Sequence, residues 1–337
     1  MPDLIKPRML RQGDTVALVS PSWGAAAEHE VRFGHAITAF QRVLGLKVRV
    51  MPHALGLRGY TSGTRAQRLS DIHDAFADPD VAGVVSIIGG RHSAQLLEDL
   101  DYDLIKANPK VFCGYSDITS INHAIHAQTS LVTFSAPMIM TQWGEWTSPD
   151  PRTVDWFRRA VMGADPVGEI IGGPTYTDER VSWARPRTRE RARRQARPYT
   201  ALRSGSAEGP LLPGTLTNFC ELLGTPFEPD FRGAILVLDT PGHGFGPDDG
   251  DQQLWHLRNA GVFDDVAAVV LGRPYHFDDA QTDQLQQVLL DVTEDFNLPV
   301  VANVDHGHTD PLMTLPLGIR ARVDGSRMFL VESAVTA

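Results

Sequence analysis

Short, almost wholly apolar runs alternate with amphipathic stretches through the first half of the chain. The runs are "DTVALVSP", "KVRVMPH", "VAGVVSIIGG", "KVFCGYS" and "LVTFSAP", and among them lie "AQRLSDIHDAFAD", "SAQLLEDL" and "DITSINHAIHAQ". Strands apolar on both faces must be covered on both faces, so the alternation predicts a parallel sheet flanked by helices. From about Leu211 the pattern changes to "TLTNFCELLG", "GAILVLDTPG", "DVAAVVLGRP", the amphipathic "DAQTDQLQQVLLDVTEDF" and "PVVANVDHGHTDP". The chain closes on "LGIRARVDG" and "SRMFLVES", joined by Asp-Gly-Ser, which reads as a β-hairpin. Between the halves, residues 165–207 are polar, rich in Arg and Pro and poor in apolar periodicity; a linker or long loop is expected there. No internal repeat is present.

Length supports this division, because 337 residues exceed what one core ordinarily holds and two domains are the expectation. No run approaches the ~20 apolar residues that span a bilayer, so no membrane association is expected. The opening "MPDLIKPRMLRQGDTVALVS" lacks the apolar centre of a secretory signal, which makes a cytoplasmic location the expectation. Cys113 and Cys220 both sit in apolar surroundings and read as buried thiols rather than a disulfide. A net charge of −10 argues against nucleic-acid binding. The exception is local: Arg185 to Arg203 carries eight arginines.

Candidate chemistry begins at "KVFCGYSDITSINHAI", where a strand runs through Gly-Tyr-Ser-Asp into a helix. A serine at such a corner projects its hydroxyl from a tight turn, beside free helix N–H groups that would stabilise a developing negative charge. Ser116 reads as readily or more so as the N-cap of that helix, since Ser-Asp is a good cap pair and "GYSDI" is not the G-x-S-x-G elbow. The local stretch leaves both readings open.

The wider chain carries a resemblance. "PSWG", "YTSGTRAQRLSDIHDAFADPDVAGVVSIIGG", "LLEDLDYDLIKANPKVFCGYSDIT", "GPLLPGTLTNFCELLGTPFEPDF" and "ANVDHGHTDPLMTLPLG" resemble, in order and spacing, the LD-carboxypeptidase family of serine peptidases, which also contains the microcin C immunity proteins. The resemblance implies a flavodoxin-like α/β domain over residues 1–164 and a β-rich, swivelling β/β/α-like domain over residues 208–337. It also implies a cleft between them, no cofactor, and a homodimer. It places the nucleophile at Ser116, the histidine at His308 in "HGHTDP", and the acid at Asp239 in "AILVLDTPG", where the family usually has glutamate. The oxyanion donors would be the N–H groups of Asp117 and of Gly90, at the end of "SIIGG". Arg91 would contact substrate. Pro213 and Thr215, where Gly and Asn are usual, imply a stiffer loop near the cleft. The implied substrate is an LD-muropeptide or an aminoacyl-nucleotide, and the "PSWG" and "SIIGG" wording is closer to the microcin immunity branch.

Rival readings come with these. With aspartate in place of glutamate, the chain could be a binding protein that has lost turnover. His306 and His308 resemble half of a metal site, with "YHFDD" (Tyr275 to Asp279) as a second half. The arginine run reads either as solvated faces of exposed helices or as a cleft-covering segment in which Arg185, Arg187 and Arg189 face a substrate phosphate and Trp183 offers a stacking surface.

Overall fold

The computed structural model describes residues 3–185 and 188–337. Its first half holds five parallel strands, β1 (Thr15–Val19), β2 (Lys47–Val50), β3 (Val81–Ser86), β4 (Val111–Cys113) and β5 (Phe134–Ser135), in the order β5-β4-β3-β1-β2. Val16 to Val19, Val84, Val85, Val111 and Phe112 are wholly buried, as strands covered on both faces require. The covering helices start and stop where local chemistry dictates. Arg65–Ala77 opens on a capping box between Thr64 and Gln67 and buries Leu69, Ile72, Ala75 and Phe76. Glu30–Leu44 ends at Gly45, whose φ of 71° is the left-handed conformation that closes helices.

The second half supplies β6 (Gly168–Ile170), β7 (Thr175–Tyr176), β8 (Arg194–Gln195), β9 (Thr200–Arg203), β10 (Ser206–Thr215), β11 (Ile235–Asp239), β12 (Ala268–Gly272), β13 (Val300–Val304), β14 (Leu315–Pro316), β15 (Arg320–Asp324) and β16 (Arg327–Leu330). Eight of them form one mixed sheet, β6-β16-β15-β10-β11-β12-β13-β9. Its centre, β10 to β13, is parallel, and its flanks are antiparallel. β10 joins the two regimes: Ser206 to Pro210 pair antiparallel with β15, and Leu211 to Thr215 pair parallel with β11. The closing hairpin is β15–β16, turning at Gly325 with φ 59°.

Residues 165–207, expected to be a linker or loop, instead provide both edge strands of this sheet, β6 and β9. Three- and four-residue edge strands with one solvated side leave too short an apolar signature to see in sequence. β14 returns to the first half and pairs antiparallel with β5, completing a six-stranded sheet. Pro213 and Thr215 lie in a strand, not a stiff loop; Pro213 is Cα partner to Val237 and Thr215 to Asp239. One apolar core runs through both halves, taking in Leu211, Val237, Val301, Leu312 and Leu315 together with β1, β3 and β4, and a second lies under the helices of the second half alone. The C-terminal ends of β3 and β4 and those of β10, β11 and β13 converge on one crevice, where open α/β sheets place their ligands. Among the described residues, no helix is long and apolar enough to cross a membrane.

Candidate active site

Ser116 follows β4 in a backbone conformation, φ 61°, that non-glycine residues seldom adopt. Gly114 makes this corner possible, since a Cβ there would stand 2.7 Å from Ile118 Cγ2. A short 3₁₀ turn, Ser116–Ile118, leads into the helix Thr119–Thr129, whose cap position is Ile118 with no side-chain cap bond. The capping reading of Ser116 therefore fails. Its Oγ lies instead 2.9 Å from His308 Nε2.

His308 stands beyond the end of β13, with Nδ1 3.2 Å and 3.1 Å from the two carboxylate oxygens of Asp239. Asp239 ends β11 and is 1% exposed, so its charge needs partners within the fold. Besides the imidazole it has Thr215, the neighbouring residue on β10, whose hydroxyl donates to Oδ2 at 2.9 Å. The Thr215 N–H in turn donates to Thr119 Oγ1 at 3.2 Å, which ties the acid's support to the helix behind Ser116. Gly307, at φ 118°, lets the chain pass so close that a Cβ would meet Asp239 Oδ1 at 2.3 Å. With Nδ1–H donating to the carboxylate, the Nε2 lone pair faces the serine hydroxyl and can take its proton.

The Gly89-Gly90 turn packs directly against this corner. A Cβ on Gly89 would lie 3.3 Å from Ser116 Oγ, and one on Gly90, whose φ is 155°, would lie 2.2 Å from Ser22 Oγ. Ser22, from the "PSWG" stretch, accepts from the N–H groups of Arg91 and His92 at 3.2 and 3.0 Å. Asp117 holds the same loop from the other side, its Oδ2 accepting from His92 and Ser93 N–H at 3.0 Å each. Gly90 and Asp117 thus stand on the two turns that meet at Ser116.

The crevice over this corner has a volume of 910 Å³ and is lined by residues of both halves, including Trp23, Arg91, Trp183, His243 and Tyr275. Trp183 is stacked on Trp23 at 6.1 Å and 11°, and the Arg32 guanidinium sits 4.6 Å over its ring. Around it the described residues of the arginine run form no helix, and several of their cations are paired. Arg189 pairs with Glu179, Arg193 with Asp150, Arg194 with Asp178 and Arg197 with Asp279, fastening the segment to both halves. Arg185 is exposed, and Arg187 lies outside the described residues.

His306 does not join His308 at the crevice. It is 1% exposed, its Nδ1 has no hydrogen-bond partner, and burial pushes its pKa down to about 4. Asp278, from the expected second half of a metal set, caps the helix Asp279–Val292. Among the described residues, no group of three or more His, Cys, Asp or Glu side chains is arranged to hold a metal ion. Both cysteines are free; burial raises both thiols, Cys220 to about 11, although Cys220 is only part-buried rather than fully buried as expected.

Profiles of the LD-carboxypeptidase N-terminal domain and C-terminal domain match residues 16–136 and 208–323. The chain belongs to the LD-carboxypeptidase family. The microcin C7 self-immunity protein MccF of Escherichia coli is 30% identical over 94% of this chain and 92% of its own length. A probable murein peptide carboxypeptidase of Bacillus subtilis (strain 168) is 29% identical over 98% and 95%. Solved structures of MccF match with a TM-score of 0.90 in the wild-type apo state, at 28% identity over 98% of this chain and 100% of that one. In complex with aspartyl sulfamoyl adenosine the TM-score is 0.91, with the same identity and coverage. An MccF-like protein from Bacillus anthracis str. Ames matches at 0.89 and 29% identity, over 97% of this chain and 99% of that one.

Within this member of the LD-carboxypeptidase family, the structure brings Ser116, Asp239 and His308 into one hydrogen-bonded row, with Gly90 and Asp117 beside it and Arg91 and Trp183 on the crevice wall. Gly307 and Ser22 were not visible as site residues, and Thr215 was expected only in a loop near the cleft. The glycine directly before the histidine hinted at Gly307.

Proposed function

We propose that the protein is a serine hydrolase that cleaves an amide bond of a small peptide-derived substrate through an acyl-enzyme on Ser116. His308 takes the hydroxyl proton as Ser116 attacks the carbonyl carbon, and returns it to the leaving nitrogen as the tetrahedral intermediate collapses. Asp239 keeps the imidazole in the tautomer with Nδ1–H and stabilises the imidazolium between these steps. The N–H groups of Asp117 and Gly90 receive the oxyanion. Water then attacks the acyl-enzyme along the same proton route. The observation that carries this reading is the 2.9 Å approach of Ser116 Oγ to His308 Nε2, with Asp239 on the opposite nitrogen.

An aminoacyl-nucleotide fits the crevice better than a muropeptide. The Trp183 and Trp23 rings give a flat aromatic wall of the kind a nucleobase stacks on, with Arg91 on the same lining. The test offers an aminoacyl sulfamoyl-adenosine and an LD-tetrapeptide side by side to wild type and to Ser116→Ala, with products read by mass spectrometry. Cleavage of the nucleotide by wild type alone supports the reading. Cleavage of only the tetrapeptide replaces the substrate, and cleavage by the variant removes Ser116 as nucleophile.

A further inference from the structure

A buried ion pair lies behind the histidine, outside the crevice lining. Asp305 directly follows β13 and has no exposed side-chain surface; Arg273 directly follows β12, and its side chain is 6% exposed. Arg273 Nη1 donates to Asp305 Oδ1 at 2.5 Å, and the Gly173 N–H and the Tyr199 hydroxyl donate to Oδ2 at 2.8 and 3.3 Å. Both carboxylate oxygens are thus engaged, as a charge so buried requires. Arg273 is itself held: its Nη2 donates to the Asn303 carbonyl at 3.3 Å, its backbone N–H donates to the Val304 carbonyl at 2.9 Å, and its guanidinium lies 4.5 Å from the centre of the Tyr176 ring. Asp305 is also the base of the loop that carries His308. Its carbonyl accepts from the Met313 N–H at 2.9 Å, which closes residues 305–313. Between Asp305 and His308 the chain makes two close approaches: a Cβ on Gly272 would stand 2.3 Å from the His306 carbonyl oxygen, and one on Gly307 would stand 2.3 Å from Asp239 Oδ1. Packing this tight leaves little slack, so a shift at Asp305 is carried to the imidazole three residues on.

We infer that Asp305, neutralised by Arg273, is a positioning residue for His308: it fixes the base of the histidine loop so that Nε2 meets Ser116 while Nδ1 meets Asp239. This rests on the roles given above to Ser116 and His308. A buried ion pair adds little net stability over apolar side chains of the same volume. What it adds here is direction, because one carboxylate takes donors from the end of β12, from the turn between β6 and β7 and from the residue before β9. Removing either charge leaves the other buried and unpaired, so the loop base moves and the 2.9 Å contact to Ser116 opens. A displacement of ~1 Å at a reacting pair costs on the order of a hundredfold in rate. Neither side chain lines the crevice, so substrate binding is left as it is.

The test uses a small alkyl fluorophosphonate on the full chain, since its reaction with Ser116 needs an activated hydroxyl and little else of the site. Labelling rate, kcat and KM for the cleaved substrate, and melting temperature are measured for wild type, Asp305→Asn, Arg273→Met, Arg273→Lys and Arg203→Met. Asp305→Asn keeps the shape, but its NH2 group must face either Arg273 or the Gly173 N–H, donor against donor. It and Arg273→Met are expected to slow labelling by about tenfold or more and to lower kcat as much, with KM nearly unchanged. Arg273→Lys, which keeps the charge, falls between Arg273→Met and wild type. Arg203→Met is the control for stability alone. Arg203 pairs with Val300 at the opposite end of β13 and donates to Thr293 Oγ1 and the Phe296 carbonyl at 3.2 Å each, so its loss lowers the melting temperature and leaves labelling at the wild-type rate. Wild-type labelling rates in folded Asp305→Asn and Arg273→Met overturn the inference, and so does an equal slowing in Arg203→Met. Should the first two not fold, Arg273→Lys and Tyr199→Phe, which removes one bond to Asp305, replace them, and wild-type rates in both overturn it. Absence of labelling in wild type removes Ser116 as an activated nucleophile and the inference with it, a result distinct from a labelled wild type whose variants label equally fast.

Discussion

Asp239 has an arm one methylene shorter than glutamate's, and at the level of single residues the geometry explains how it reaches His308. The backbone has come to it: Gly307 passes so near that a Cβ would fall 2.3 Å from Oδ1, and Thr215 supplies a hydroxyl on Oδ2 from the adjoining strand position. Lengthening this side chain is therefore expected to harm the site. Asp239→Glu would push a methylene into the space that Gly307 leaves, and kcat is expected to fall, with Asp239→Asn losing up to ~10⁴-fold because the amide favours the wrong imidazole tautomer. A gain in kcat for Asp239→Glu would refute this account. Thr215→Val keeps the shape but removes a bond to a buried carboxylate, a loss of about 1–3 kcal/mol, so steady-state kinetics should show kcat down by about tenfold or more with the fold intact. Ser116, His308 and Asp239 were legible through the family resemblance, since the stretch around Ser116 alone left a cap and a nucleophile both open. Gly307 was not legible, and Thr215 only as part of a loop near the cleft, because their importance lies in what other strands bring beside them.

At the level of elements, the helix Thr119–Thr129 shows how the halves are joined behind the site. It is buried on nearly every side, and His123 Nε2 donates to the Pro213 carbonyl of β10 at 3.0 Å. Burial lowers His123 from its ordinary 6.5 to about 3, as it lowers His306 to about 4. Both are neutral in the folded protein throughout the mildly acidic range, whereas in the unfolded chain each takes up a proton below about 6.5. The unfolded state then binds more protons, so stability is fully present above about pH 6.5 and declines as pH falls towards 4, by about 3 kcal/mol for each histidine. Melting temperatures measured from pH 7 to pH 4.5 should fall steadily, and His123→Gln, which keeps a donor for Pro213 but cannot titrate, should flatten the slope. An unchanged slope would show that His123 is not the group responsible. The strand–helix alternation of the first half was legible in sequence because apolar strands and capped helices carry their own signals. The edge strands β6, β9 and β14 were not, being two to four residues long and defined only by the strands they join.

Those same short strands decide how the whole molecule behaves. Two domains joined by a linker would unfold separately, each with its own core. Here β14 leaves the second half to complete the sheet of the first, β6 and β9 close the two edges of the second sheet, and the larger core takes residues from both halves. Unfolding either half strips apolar partners from the other, including Pro316 beside Phe134 on β5 and Val237 in the shared core. Loss of one half thus costs the other much of its buried surface, at ~25 cal/mol for each Å² exposed. The intact chain is accordingly expected to unfold in one transition, with calorimetric and van't Hoff enthalpies agreeing, although its length favours intermediates. Two resolved transitions would mean that the junction is too weak to couple the halves, and the row from Ser116 to Asp239, whose members come from both, would then be held across an interface free to move. A single transition would mean that the alignment of serine, histidine and aspartate is as stable as the molecule itself.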